Sequence, residues 1–182
     1  MSTTTDTTAL AAGTWAIDPS HSEAAFTVRH AGIAKVRGTV AITEGAITVN
    51  EDGTATVTAT LDPATVNTGD ATRDGHLKTA DFFEVEKYPT WTFTSSPVQV
   101  AEEGEVPGEL TIHGVTQPVT LAVEFNGTAV DAWGNLRAGF SATTQINRKD
   151  FGLTWNAALE AGGVLVSDKV QVSIEISAIK QA

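Results

Sequence analysis

From Val170 to Ala178 the chain alternates strictly: Val170, Val172, Ile174, Ile176 and Ala178 share one face, and Gln171, Ser173, Glu175 and Ser177 the other. A period of two places successive side chains on opposite faces of a pleated backbone, so this run predicts a half-buried strand. The same alternation recurs at Ala55, Val57, Ala59 and Leu61, and again at Val119, Leu121, Val123 and Phe125. Trp91 and Phe93 stand two apart in a Thr-rich stretch, a composition that suits a strand face. Between a strand ending near Val49 and one starting near Thr54, Asp52-Gly53 supplies the positive φ of a tight hairpin. Asn126-Gly127 predicts a second turn, between 119–125 and 128–131, in preference to the glycosylation acceptor that Asn126-Gly127-Thr128 also spells. Gly134-Asn135 then launches a strand from Leu136 to about Asn147.

About eight strands result, joined mainly as antiparallel neighbours and interrupted twice. Residues 70–83 contain ATRDGHLKTADFF and predict a short helix with a turn; residues 148–162 predict a loop or short helix. So many consecutive hairpins favour a barrel or sandwich over an α/β fold. Eight strands close into a barrel whose interior is either filled by side chains or holds one small ligand. A segment inserted between two strands is placed to cap one mouth. A chain of 182 residues with no linker reads as one domain over 13–182, after a Thr/Ala-rich tail over 1–12.

Charge and composition then narrow the function. A net charge of −11, from 22 acidic and 11 basic residues, repels phosphate backbones and anionic membrane surfaces, so no nucleic-acid partner is expected. The absence of cysteine removes thiolate metal sites and cysteine nucleophiles. The N-terminus has no basic region and no apolar run, so neither a leader nor a membrane span is expected, and the location read from it is cytoplasmic. His21, His30, His76 and His113 form no metal-binding spacing, and neither a G-x-S-x-G elbow nor a Gly-rich phosphate loop occurs. Carboxylates such as Glu102-Glu103, or Asp81 and Glu84, read as solvated surface. Two clusters stand out. Arg73-Asp74-Gly75-His76-Leu77, beside Phe82-Phe83, could hold a polar head group at a barrel mouth, or Arg73 could simply pair with Asp74. Asn147-Arg148-Lys149-Asp150-Phe151 carries one of the few basic spots.

These segments also carry a family resemblance. Trp15-Ala16-Ile17-Asp18-Pro19-Ser20-His21-Ser22, Phe26, Val28 and His30 begin it. Arg73 to Leu77, Asp81-Phe82-Phe83, Lys87-Tyr88-Pro89 and Gly108 to Thr116 continue it, and Phe151-Gly152-Leu153 and Val166 to Val170 complete it in order. In this the chain resembles the YceI-like family of lipocalin-like, polyisoprenoid-binding proteins, departing at Ser167, where the family often has Gly. The resemblance implies an eight-stranded antiparallel lipocalin-like barrel, with a short helical segment capping or flanking one end and an internal apolar tunnel. It further implies a long-chain amphiphilic ligand such as a polyprenyl diphosphate, an isoprenoid quinone or a fatty amide. The resemblance also implies a homodimer; no cofactor is expected, nor a protein embedded in the membrane.

Burying a methylene gains about 0.8 kcal/mol, so several isoprene units have ample driving force, much of it consumed in ordering the chain and desolvating the head group. The expected tunnel lining is Phe26, Val28, Phe83, Trp91, Phe93, Leu110, Ile112, Phe140, Ile146 and Phe151, with Arg73, His76 and Arg148 at the head group. Two other readings stay open. One is an enzyme acting on a small hydrophobic or phosphorylated substrate, with His76 as acid/base, Asp74 orienting it and Arg73 clamping an anion. The other is a filled barrel that binds a protein through an exposed face.

Overall fold

The computed structural model describes residues 10–159 and 163–182. Its strands are β1 (Gly13–Ile17), β2 (Glu23–His30), β3 (Ala34–Val49), β4 (Thr54–Asn67), β5 (Trp91–Ser95), β6 (Val98–Gln99), β7 (Glu103–Ile112), β8 (Val115–Val130), β9 (Leu136–Asn147) and β10 (Lys169–Lys180). One helix, α1 (Ala71–Leu77), interrupts them. Ten segments make eight staves. β1 and β2 share one slot between β3 and β10: Trp15 pairs with Ile47 and Lys180, and Phe26 pairs with Gly38 and Val172. β5 and β6 likewise share one slot along β4, through Ala59–Phe93 and Thr54–Gln99. Each break contains a proline, Pro19 or Pro97, which has no N–H to give the ladder. Antiparallel pairing of β3 with β4 closes the ring, so the fold is a closed eight-stranded antiparallel barrel.

The strand directions define two ends. One, the helix end, carries the β2–β3 hairpin, α1 with its following loop, the β7–β8 turn and the described residues of the 148–168 connection. The opposite end carries the β3–β4 and β8–β9 hairpins and the last residues of β10. Gly53 (φ 85°) and Gly134 (φ 84°) take the left-handed conformations that these two hairpins require. Asn126-Gly127 does not reverse the chain as expected. β8 runs through it, and the pairing with β9 slips between Phe125 and Gly127. Its positive φ of 111° serves a bulge, because β9 offers partners on both sides of the step and ladder hydrogen bonds outweigh a local turn preference.

Side chains facing inward form the core. Trp15, Ile47, Val49, Phe125 and Ala178 pack toward the opposite end, and Val40, Phe82, Phe83, Trp91 and Phe151 toward the helix end. Leu10, assigned to the tail by composition, is buried in the first of these clusters, and the Ala11 carbonyl accepts a 3.0 Å bond from Trp15 Nε1. The chain therefore joins the barrel three residues before the first strand. Gly108 lets the wall close on Phe93: a Cβ there would lie 2.5 Å from the ring and 2.6 Å from the Thr94 carbonyl oxygen.

A cavity along the barrel and its polar mouth

Filling stops short of the barrel axis. A cavity of about 610 Å³ extends from Val28 and Val36 at the helix end to Leu10 and Val100 at the other. Phe26, Val28, Phe83, Trp91, Phe93, Leu110, Ile112, Phe140 and Ile146 all line it. Phe151 does not. It ends a 3-10 turn over Arg148–Phe151, past the last residue of β9, and at 1% exposure its ring fills core. Alternation identified the inward face but missed its small members. Ala24, Ala59 and Ala142 stand on the wall, and their short side chains leave the interior open. Alanine at inward strand positions was the available signal.

Polar groups gather at the helix end of the cavity. Asp70 caps α1 by accepting the Arg73 N–H at 3.0 Å, and that bond holds its carboxyl below the usual carboxylate range. Arg73 and Asp74 do not pair with each other; both use Thr68. Arg73 Nε donates to Thr68 Oγ1 (2.7 Å) and Nη2 to the Thr68 carbonyl (2.9 Å), while Asp74 Oδ1 accepts from Thr68 N–H (2.9 Å) and its hydroxyl (2.6 Å). His76 is hydrogen-bonded to Asp81, with 2.8 Å between Nε2 and Oδ2, and not to Asp74. Residues two apart on a helix do not face each other, which turns Asp74 away from His76. The imidazole sits edge-on to Phe82 and Trp155, at 5.1 and 4.9 Å between ring centroids. Arg73 and His76 both line the cavity.

Arg148 reaches the cavity wall as well, but its donors are already engaged. Nε donates to the Ser167 carbonyl (2.9 Å), and Nη1 to the carbonyls of Leu153 (2.7 Å) and Trp155 (2.8 Å). Among the described residues its carboxylate neighbour is Asp168, at 3.6 Å. Burial lowers the pKa of this guanidinium from its ordinary value. It ties the 148–168 connection together, which leaves little for a head group. Adjacent basic residues in the sequence gave no sign that one of them would be buried among carbonyls. Among the described residues no group of three or more His, Cys, Asp or Glu could hold a metal ion, and no helix is long and apolar enough to cross a membrane.

A closed antiparallel barrel with an apolar interior and a polar mouth defines a lipocalin-like architecture. Residues 15–178 match the YceI-like domain, and the chain belongs to that family. A UPF0312 protein of Staphylococcus aureus strain MSSA476 is 36% identical over 165 residues, covering 88% of this chain and 95% of that one. The Campylobacter jejuni YceI protein is 31% identical at a TM-score of 0.66, over 85% of this chain and 90% of its own. Two more distant structures share the fold. Burkholderia cenocepacia BcnA (20% identity, TM-score 0.74) covers 88% of this chain and 98% of its own. A polyisoprenoid binding domain from Saccharophagus degradans, implicated in plant cell wall breakdown (17% identity, TM-score 0.67), covers 92% and 98%.

Proposed function

We propose that this protein binds a long-chain isoprenoid lipid, a polyprenyl diphosphate or an isoprenoid quinone, and carries or stores it without chemical change. The observation that supports this reading is the apolar cavity itself, which follows the barrel from end to end and gathers its charged side chains chiefly at the helix-end mouth. A site of this kind suits a flexible hydrocarbon whose head remains near water. His76 and Arg73 are positioned to meet that head, His76 with its second ring nitrogen left over from the Asp81 bond. The family and the polyisoprenoid-binding neighbour support a lipid-binding role in the broad sense.

The enzyme reading has one observation in its favour, the 2.8 Å His76–Asp81 pair beside an open cavity. It loses the partner assigned to it, because Asp74 is committed to Thr68. Native mass spectrometry of the purified protein, followed by organic extraction, tests the carrier reading. A discrete adduct that releases an unaltered prenyl lipid supports it; a bare mass after incubation with prenyl lipids refutes it. Turnover of the bound species that is lost in Asp81→Asn would replace it with the enzyme.

A further inference from the structure

The net charge of −11 conceals a polarised molecule. Of its eleven Lys and Arg residues only Arg137 and Lys180 lie toward the end opposite α1. Between Glu23 and Glu44 there is no carboxylate, and along that stretch β2 and β3 expose Arg29, Lys35 and Arg37. Arg29 is the direct cross-strand partner of Lys35. Two like charges directly opposed on a hairpin destabilise it. None of the three cations is in an ion pair among the described residues. An anion from outside the protein would offset that repulsion.

The tip of the same hairpin is apolar. Ile33 is 85% exposed, more than any other large hydrophobic side chain among the described residues. A second apolar side chain, Val164, is 51% exposed in the segment that pairs with the hairpin. The Ala31 N–H donates to the Leu165 carbonyl at 2.8 Å, and His30 bridges to Val166, so hairpin and 163–167 segment form one rim. Ala31 (φ 54°) and Gly32 (φ 74°) hold the tip in a left-handed turn that an alanine rarely adopts. Val28, His30 and Val36, on the hairpin itself, line the cavity.

From this arrangement we propose that the β2–β3 hairpin, with the 163–167 segment, docks on an anionic lipid bilayer. Ile33 and Val164 enter the head-group layer, and Arg29, Lys35 and Arg37 meet the lipid phosphates. An apolar tip ringed by cations binds such an interface through both terms at once. The same bilayer surface repels the opposite end, where Glu51, Asp52, Glu102, Glu103 and Asp131 have only Arg137 and Lys180 against them, so approach is helix end first and the cavity mouth faces the membrane. The inference rests on the lipid-carrier reading and adds the source and route of the lipid.

Co-sedimentation of the full chain with phosphatidylcholine vesicles, with and without phosphatidylglycerol, tests it. The protein is expected to pellet with the anionic vesicles only, and added salt is expected to release it. Reversing Lys35 and Arg37 to Glu together should weaken partitioning at least about tenfold. Ile33→Ser should weaken it several-fold, and Trp133→Ser, at the exposed tip of the β8–β9 hairpin, should leave it unchanged. Equal partitioning of wild type and the charge-reversed variant, with unchanged thermal melting, would overturn the proposal, as would an effect confined to Trp133. Prenyl lipid delivered from cyclodextrin, without a bilayer, separates the two ideas. Uptake from cyclodextrin without vesicle binding removes the docking surface alone. Vesicle binding without uptake by either route removes the carrier reading and leaves the surface.

Discussion

Each end of the barrel is organised by one arginine, and the two are neutralised in opposite ways. At the helix end, Arg148 is 4% exposed and spends its donors on carbonyl oxygens of the 148–168 connection. At the opposite end, Arg137 bridges two carboxylates, Nε to Asp131 at 2.8 Å and Nη1 to Asp18 at 2.9 Å. Those bonds hold the Asp18 and Asp131 carboxyls well below the usual carboxylate range and raise the arginine's own pKa. Burial moves Arg148 the other way, with Asp168 at 3.6 Å opposing it only in part. Carbonyls do not titrate, so Arg148 organises a connection beside the cavity mouth at any ordinary pH. Carboxylates do, so the hairpin around Arg137 depends on acidity.

The largest effect expected from breaking this contrast is Arg148→Met. Removing the guanidinium strands several buried carbonyls and should cost about 3–5 kcal/mol, with little change between about pH 4 and pH 8, by urea denaturation. Between the two ends, Gly108→Ala pushes a methyl against Phe93 and the Thr94 backbone. It should cost about 1–3 kcal/mol on the same assay and press on the Phe93 ring, which lines the cavity. Arg137→Met should be milder and dependent on pH. The folded-state carboxyl values are depressed, so the stabilisation is complete above the unfolded value of about 4 and is lost as the pH falls through the folded ones. The melting temperatures of wild type and variant should therefore differ fully at neutral pH and converge in acid; a constant gap would separate Arg137 from those carboxylates. The smallest effect is Ala31→Gly, which relieves a left-handed alanine and should raise stability by up to about 1 kcal/mol. Its melting curve should rise while vesicle partitioning stays the same.

Much of the wall was legible because alternation is a direct physical readout of a sheet with one wet and one dry face. Val170 to Ala178 lies within β10, and the strand expected from Leu136 to Asn147 is β9. The helix expected within 70–83 is α1. What alternation cannot separate is an inward side chain facing a void from one facing another side chain, and Phe151 fell on the wrong side of that line. Composition near a site misled in a similar way. Arg148 and Lys149 are adjacent and both basic, yet the backbone turn buries the first and leaves the second exposed. Asp81 is exposed, as its reading as surface implies, yet the turn after α1 also brings it to His76, a contact that the abundance of carboxylates did not single out. Asn126-Gly127 shows that a turn signal acts only where the neighbouring strand lets the chain leave.

Pairing of β3 with β4 rings the interior with strands, so a cavity of about 610 Å³ has a limited capacity. A carrier of this build would act as a ruler. Each further methylene that fits inside would lengthen a cargo's residence time by up to about fourfold. Once a tail outgrows the chamber, the surplus would stay in water and the gain would end. Dissociation half-lives across a series of prenyl lengths would therefore climb and then level off, and the bend would mark the length that the barrel was shaped to hold.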